Sequence, residues 1–436
     1  MDQVLKVQIS NPKSKLYNKL EEACFKSARL YNFALHYAKE EFYELGSFPS
    51  YADLHREIKY MLDNNQDCPY RRLPATISQE TIRYLSMNLT SFKQAIADYN
   101  KNPNKYTGEP RVPHYLPKTG LYQIYFIRAN SFSTAFNNKN EIVCIPTSNK
   151  APELKGITFK VPKHLKAKFV KGIRIVPHHK IFDVEYIYEK PELAPLPDNG
   201  KAIAIDFGIN NFITTVNNAG LRPFIVKGNV IKSINHSYNK AKAHAQSELP
   251  PKVYTSSAIT KLGLDRLNQL RDQFHKITTE FVSYCTELNI NTIVIGYNKY
   301  WKQKVDLGSK TNQKFVSIPY YKFKQILRYK AKLVGLNVIE VNEAYTSKCS
   351  SIDNETIRFH SSYAGQRITR GLFKSAAGIL INADVNAAAN ILRKAGFNLV
   401  ITLTSLLKID SFLPASKNKS NPIKTTKVVQ FGYSGC

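Results

Sequence analysis

The chain has 436 residues, more than a single hydrophobic core ordinarily organises, and its 62 Lys and Arg against 33 Asp and Glu give a formal charge of +29. With 43% hydrophobic residues, among them 26 Tyr and 23 Phe, it has apolar material for sizeable cores, which excludes a wholly disordered chain and a small disulfide-stapled domain. Charge of this size points to a polyanion, because Lys and Arg that neutralise phosphates release condensed counterions.

A membrane is the competing partner for positive charge, but no run approaches the ~18 apolar residues of a spanning helix. Met1 to Pro12 has an early acid and no long apolar stretch, unlike a secretory signal, so a cytoplasmic protein, nucleoid-associated if prokaryotic and with no membrane partner, is expected. The six cysteines, Cys24, Cys68, Cys144, Cys285, Cys349 and Cys436, form no C-x-x-C pair and suggest neither a disulfide framework nor a zinc ribbon.

Leu5, Val7 and Ile9 alternate with polar neighbours as a short strand, broken at Asn11-Pro12. Leu20, Cys24, Ala28, Tyr31, Leu35, Ala38 and Phe42 then recur every three or four residues, the apolar stripe of a helix ending near Gly46. Two more helical patterns cover Tyr51 to Leu62 and Glu80 to Tyr99. A Pro-, Lys- and Asn-rich connection runs from Asn100 to Gly120, after which the period becomes two: Tyr122 to Phe126, Ile142 to Pro146, Gly172 to Pro177 and Phe182 to Tyr188 read as strands of a small sheet or barrel. Pro191 to Asp198 is the clearest boundary.

Beyond it the pattern is α/β. Ala202 to Ile205 is a buried strand and Phe212 to Val216 its hairpin partner. A long amphipathic helix carries Leu267 to Leu288, followed by a strand at Thr292 to Ile295, a helix at Tyr320 to Leu333, a strand at Asn337 to Val341 and a helix at Ala383 to Leu392. The tail after Asn398 reads as loosely ordered.

Asp206 stands at the end of the buried Ala202-Ile205 strand, just before Gly208. An ionised carboxylate there is costly unless paired or metal-bound. Capping a turn is its bland alternative. Asp384 opens a helix rich in small residues, where it could serve as a cap or as a second ligand. A strand acid and a helix acid on an α/β scaffold suit two-metal phosphodiester hydrolysis, in which hard cations ~4 Å apart activate water and stabilise the leaving oxygen.

Five stretches between Lys201 and Lys394 carry a family resemblance: AIDFGINNFITTV, IVIGYNKYWKQ, IPYYKFKQILRYKAKLVG, NEAYTSK and RGLFKSAAGILINADVNAAANILRK. In them the chain resembles the TnpB (OrfB) nucleases of insertion sequences, relatives of the type V CRISPR effectors. The resemblance implies an α/β RNase H-like (RuvC) nuclease domain over 200–397, a β-barrel-like, RNA-binding wedge domain over 1–14 and 111–195, an inserted α-helical recognition lobe over 15–110, and a tail over 398–436. It implies an RNA-guided DNA endonuclease of a mobile element, cutting beside a short adjacent motif. Its partners would be a guide RNA from the flank of its own gene and a double-stranded DNA target, and it would be a monomer.

Two departures stand out. Many family members end the second catalytic strand in Glu, where this chain has Gly296. In rearranged members a later strand supplies the acid in an E-x-Y-T-S-K context, which places Glu343 as the third ligand beside Asp206 and Asp384, holding two Mg²⁺ ions with Mn²⁺ as a substitute. The family's zinc ribbon is reduced to Cys349, so no zinc is expected. For nucleic-acid contact, Lys299, Trp301, Lys302 and Arg328 interleave with aromatics, and Arg367, Arg370 and Lys374 stand close before Asp384. Two rivals remain: a nuclease-inactive, guide-dependent repressor, favoured by Gly296, and a true transposase or RNA-only RuvC-like enzyme with a similar set of acids.

Overall fold

In a computed structural model of the protein, residues 2–64, 68–127, 132–133, 141–144, 154, 157–166, 169–178, 180–190, 193–298, 317–399, 408–412 and 429–430 are described. They divide into two compact units, Met1–Lys190 and Pro191–Cys436.

The first unit begins with β1 (Asp2–Ile9), followed by α1 (Lys15–Leu45), α2 (Tyr51–Asp63) and α3 (Ala75–Lys101). α1 is bounded as its sequence dictates: the Ser14 hydroxyl accepts the Tyr17 N–H at its start, and Gly46 ends it at φ +69°, a left-handed conformation that glycine adopts without strain. Strands β2 (Ile124–Ile127), β3 (Phe132–Ser133), β4 (Glu141–Cys144), β5 (Ile157–Lys160), β6 (Val170–His178) and β7 (Ile181–Glu189) follow. They form a four-stranded sheet in the order β1-β7-β6-β2 and a three-stranded sheet β3-β4-β5. The first strand thus returns to pair antiparallel with the last of this unit, Val7 opposite Val184.

The second unit is built on a seven-stranded sheet. Its strands are β8 (Ala202–Phe207), β9 (Asn211–Asn217), β10 (Phe224–Lys227), β11 (Thr292–Tyr297), β12 (Asn337–Asn342), β16 (Lys408–Phe412) and β17 (Val429–Gln430). Their order is β12-β11-β8-β9-β10-β16-β17, with β8, β11 and β12 mutually parallel where they neighbour. Between β12 and β16 lie a small antiparallel sheet, β13 (Gln366–Thr369), β14 (Leu372–Lys374) and β15 (Leu380–Asn382). The helices are α4 (Asn229–Ser247), α5 (Ser257–Glu287), α6 (Tyr320–Leu333) and α7 (Ala383–Lys394).

The period-2 alternation of the strands decides which helix covers which face. Ile203, Ile205, Ile293 and Ile295 join α5 and α6 in one core, where Phe212 stacks on Phe274 at 5.5 Å and meets Phe323 edge-on at 4.9 Å. Ala202, Ala204 and Val294 face the other way and pack on Val385, Ala388, Ala389, Ile391 and Leu392 of α7. The alanines on both sides let α7 lie close to the sheet.

Two segments differ from the sequence expectation. The tail contributes β16, whose Phe224-Asp410 register continues the main sheet in parallel, so it is not wholly loose. α4 was not anticipated: it buries only Ile231 and Asn235 among the residues of NVIKSINHSYNKAKAHAQS, too few apolar positions to mark a helical face.

Candidate active site

Asp206 is the fifth residue of β8 and points, like Ala202 and Ala204, toward the face covered by α7. The strand then turns tightly through Gly208, where a Cβ would come within 2.5 Å of the Asn211 carbonyl oxygen, a contact no side chain tolerates. The Tyr320 hydroxyl donates to the Gly208 carbonyl at 2.8 Å, fixing this turn from the opposite face.

On β11 the same face receives Gly296. A Cβ there would lie 2.5 Å from Ile391 Cδ1 and 3.3 Å from Glu343 Oε2. The missing side chain is therefore replaced by two others, an α7 isoleucine and the Glu343 carboxylate. Glu343 arrives from the edge: β12 pairs with β11 with Val341 opposite Gly296, and Glu343 lies two residues further, on the face shared by Ile339 and Val341. Its N–H reaches the Tyr297 carbonyl at 3.4 Å. The extra methylene of Glu over Asp spans the distance back along the strand.

Asp384 is the second residue of α7. Asn382 is the cap, its side-chain oxygen accepting the N–H of Asp384 at 2.9 Å and of Val385 at 3.2 Å. The Asp384 carboxylate is thereby free of capping duty and is held from outside. Asn211 Nδ2 donates to Oδ2 at 2.7 Å, and Arg367 Nη2 stands 3.5 Å from Oδ1. Lys227 in turn donates to Asn211 at 3.1 Å, and Arg367 is oriented by donating from Nε, at 3.1 Å, and Nη2, at 2.5 Å, to the Arg370 carbonyl.

Electrostatics tie the three acids together. Burial, then the charges of Asp384 and Glu343, push the Asp206 carboxyl well above the usual range, with Arg367 opposing. Burial raises Glu343 as well, against the pull of Lys324. Lys324 is itself buried, with Nζ 2.8 Å from Glu340 Oε1 and 3.6 Å from the Tyr297 ring centre. Opposite Asp206 on β9, the buried Thr214 hydroxyl has no hydrogen-bond partner among the described residues. A buried carboxyl raised by two neighbouring acids, next to an unsatisfied hydroxyl, fits a site for hard cations with their coordinated water. The three acids do not close to within 4.8 Å of one another as a single cluster. A pair of ions ~4 Å apart asks for that wider span.

The remaining sequence candidates fall in different places. Arg367 and Arg370 are exposed on the small sheet beside Asp384, and Lys374 lies in β14. Arg328 is half-exposed on α6 and already paired with Glu340 at 3.0 Å. Lys299, Trp301 and Lys302 lie outside the described residues. Sequence reasoning missed Asn211, although it stands in AIDFGINN, because an amide after a turn has many uses. It also missed Glu355, which with Cys349 and His360 brings three potential ligand atoms within 4.8 Å of one another. The C-x5-E-x4-H spacing was the available signal.

Residues 185–302 match a family model, that of OrfB from the IS605 type, described as a probable transposase, and residues 320–391 match one described as the Cas12f1-like TNB domain. The CRISPR-associated endodeoxyribonuclease Cas12f1 of Sulfoacidibacillus thermotolerans is 37% identical over 91 residues, which cover 20% of this chain and only 18% of that protein. A structure of Cas12f1 with sgRNA and target DNA aligns over 87% of this chain and 82% of its own, with 14% identity and a TM-score of 0.54. The mini-RNA-guided endonuclease CRISPR-Cas_phi3 aligns over 91% and 92%, with 11% identity and a TM-score of 0.50. At these identities the structural likeness is one of fold, a RuvC-like α/β unit preceded by a helical and β-rich one. Among the described residues no helix is long and apolar enough to cross a membrane. Over these two stretches, matched in chain order along such a fold, the chain is similar to OrfB of the IS605 type and to the Cas12f1-like effectors.

Proposed function

We propose that the protein is an RNA-guided DNA endonuclease of a mobile genetic element, in which Asp206, Glu343 and Asp384 hold two Mg²⁺ ions. The observation that carries this reading is the Glu343 carboxylate beside the space vacated at Gly296, on the same face as Asp206 and against α7, whose second residue is Asp384. An acid lost at one strand end and supplied from the next strand keeps three oxygen ligands on one face. A nuclease-inactive repressor gives no reason for that replacement.

When bound, the two ions would supply an activated water and charge neutralisation at the scissile phosphate. The chain's own residues do the rest. Asp206 and Glu343 present carboxylate oxygens from the strand ends, and Asn211 orients Asp384. Arg367, beside Asp384 and fixed by the Arg370 carbonyl, offers a planar guanidinium to a phosphate oxygen. Arg370 and Lys374 extend this basic edge for the DNA backbone. The first unit, with its β1-β7-β6-β2 sheet and helices α1 to α3, is assigned the wedge and recognition roles toward guide RNA transcribed from the flank of the gene.

Zinc, which the family's ribbon implies, does not fit the residues here. The Cys349 sulfur faces the Thr356 and Arg358 carbonyls at 3.5 and 3.6 Å, an environment for a thiol donor and not for a thiolate. Both Glu355 oxygens already accept backbone N–H groups, from Ser350 at 2.7 Å and Ala364 at 2.9 Å. His360 Nε2 donates to the Thr356 carbonyl at 2.7 Å.

The test is guide dependence. Protein expressed with its gene's flanking sequence and purified at low salt should retain RNA, and the complex should cut matched DNA. RNA-free protein cutting the same DNA equally well overturns the guided reading. Strand transfer of element ends would favour a transposase.

A further inference from the structure

The residues after Glu343 do not follow a relaxed path. Tyr345 takes φ +69°, in the left-handed region that bulky residues avoid, and Asn354 takes φ +52°. Such a turn persists only where its surroundings hold it; it closes on itself through the Thr346 N–H to the Glu343 carbonyl at 3.1 Å and the Cys349 N–H to the Tyr345 carbonyl at 3.0 Å, and one helix fastens it from outside.

Asn386 and Asn390, one turn apart on α7, are both 0% exposed. Asn390 Nδ2 donates to the Thr346 carbonyl at 2.9 Å and the Cys349 carbonyl at 2.7 Å. Asn386 Nδ2 donates to the same Cys349 carbonyl at 2.9 Å, while its Oδ1 accepts from the Ser351 N–H and hydroxyl, each at 2.8 Å. One turn further, Arg393 donates to Asn390 Oδ1 at 2.7 Å, to Asn354 Oδ1 at 2.6 Å and to the Glu355 carbonyl at 2.9 Å. Beside it, Lys394 Nζ donates to the carbonyl of Ala344, the residue next to Glu343, at 2.9 Å.

Positions 386, 390, 393 and 394 form one stripe on α7, and every partner named outside the helix lies in the segment 344–355. Packing alone would be served by Ala or Leu, which cover the sheet-facing side of the same helix. Buried amides are costly unless satisfied, and these two are satisfied by named backbone atoms. A network of that kind specifies position more than it adds stability. Asp384 belongs to the same helix, two residues before Asn386.

We propose that Asn386, Asn390, Arg393 and Lys394 are positioning residues, a metal-free clamp by which α7 sets the Glu343 carboxylate against its own Asp384. The clamp gives the rearranged acid a fixed origin. Glu343 arrives from the edge strand and through no side chain of its neighbour β11, so its placement depends on the turn that follows it. The same hydrogen bonds do for this segment what a bound ion does in a ribbon: they fasten it to the helix without thiolate ligands.

The inference rests on the proposed metal site, and its test separates the two. The full chain is titrated with Mn²⁺, free ion being read by electron paramagnetic resonance, and amide exchange is followed across residues 344–351. Asn390→Asp is isosteric, keeps the acceptor for Arg393 and loses both donors; Lys394→Met removes one bond at the helix end, where folding is least at risk. Expected in both variants are Mn²⁺ binding weaker by about ten-fold, faster exchange in 344–351 and unchanged RNA binding, with melting unchanged in Lys394→Met. Exchange that accelerates with Mn²⁺ affinity unaltered in both variants overturns the clamp as a positioning device. Wild-type protein that binds no more Mn²⁺ than Asp206→Ala overturns the metal site itself.

Discussion

The two units treat buried acids in opposite ways. In the first, Asp183 is 3% and Glu185 8% exposed, and each is paired with a cation of its own unit. Lys6 reaches Asp183 at 2.7 Å and Glu185 at 3.0 Å, Gln8 donates to Asp183 at 2.9 Å, His178 stands 3.0 Å away, and Arg174 grips Glu185 through two nitrogens. Burial pushes the Asp183 carboxyl up, but the bonds from Lys6 and Gln8 outweigh it and hold the group below its ordinary range. In the second unit, Asp206 and Glu343 are raised, Asp206 by burial and then by the charges of Asp384 and Glu343, which outweigh Arg367. The difference separates carboxylates whose cationic partners are built into the fold from carboxylates raised by burial and by one another's neighbourhood, as the proposed cation site requires.

The largest way to break this comparison is to remove an acid from the second set. Asp206→Ala and Asp384→Ala should each lower cleavage by several orders of magnitude while guide and target binding persist. Cleavage at wild-type rate in either would place the chemistry elsewhere. In the first unit the effect should fall on stability instead. Asp183→Ala leaves Lys6 beside a single remaining acid and should cost about 3 kcal/mol in denaturant unfolding, with no change in metal requirement once folded. A variant as stable as wild type would make the pairing ornamental.

A finer test exploits the crowding at Gly296. In a Glu343→Ala background, Gly296→Glu alone should not restore cleavage, because its Cβ would collide with Ile391 Cδ1 at 2.5 Å. Adding Ile391→Ala should recover a part. Recovery without that trimming would mean the helix yields more readily than its packing implies.

The pH dependence sharpens the contrast further. A carboxyl raised in the fold favours its protonated form, so the stability it lends is present below the ordinary carboxylate range and is lost as pH rises through the elevated value. Without divalent metal, melting should therefore fall as pH climbs from about 4 toward neutrality, and Mg²⁺ should reverse the loss. Asp183 gives the opposite sign: its contribution is present above the ordinary range and disappears as pH drops through its lowered value. A melting curve insensitive to Mg²⁺ at neutral pH would contradict the cation site. The smallest effect concerns zinc. Elemental analysis should find well under one equivalent, and Cys349→Ser, which keeps a donor for the Thr356 and Arg358 carbonyls, should melt close to wild type. One tightly held zinc lost in Cys349→Ser would assign the Cys349, Glu355 and His360 group to metal.

Much of this was legible in the sequence where local pattern and tertiary role coincide. The buried run before Asp206 and the small-residue helix after Asp384 announce their acids, because a charge beside an apolar run or an alanine face is conspicuous. Glu343 is different: NVIEVNEAYTSK offers two glutamates, and only family likeness singles out the second, since its reach depends on the order β12-β11-β8 and on the absence of a side chain at Gly296. The clamp was hidden for a related reason. Family likeness marks Asn390 as a residue that supports the site, but nothing in the sequence marks Asn386 or shows that both are buried against the segment that follows Glu343. Lys408–Phe412 was missed because a five-residue edge strand between polar stretches carries too little alternation to stand out.

The most direct measurement is the cleavage rate of Glu343→Gln in complex with guide RNA, at saturating Mg²⁺ and with target binding measured in parallel. The substitution keeps size and removes charge. The account requires cleavage to fall by several orders of magnitude with target affinity unchanged; cleavage at the wild-type rate would contradict it and return Gly296 to being a site that has lost its acid.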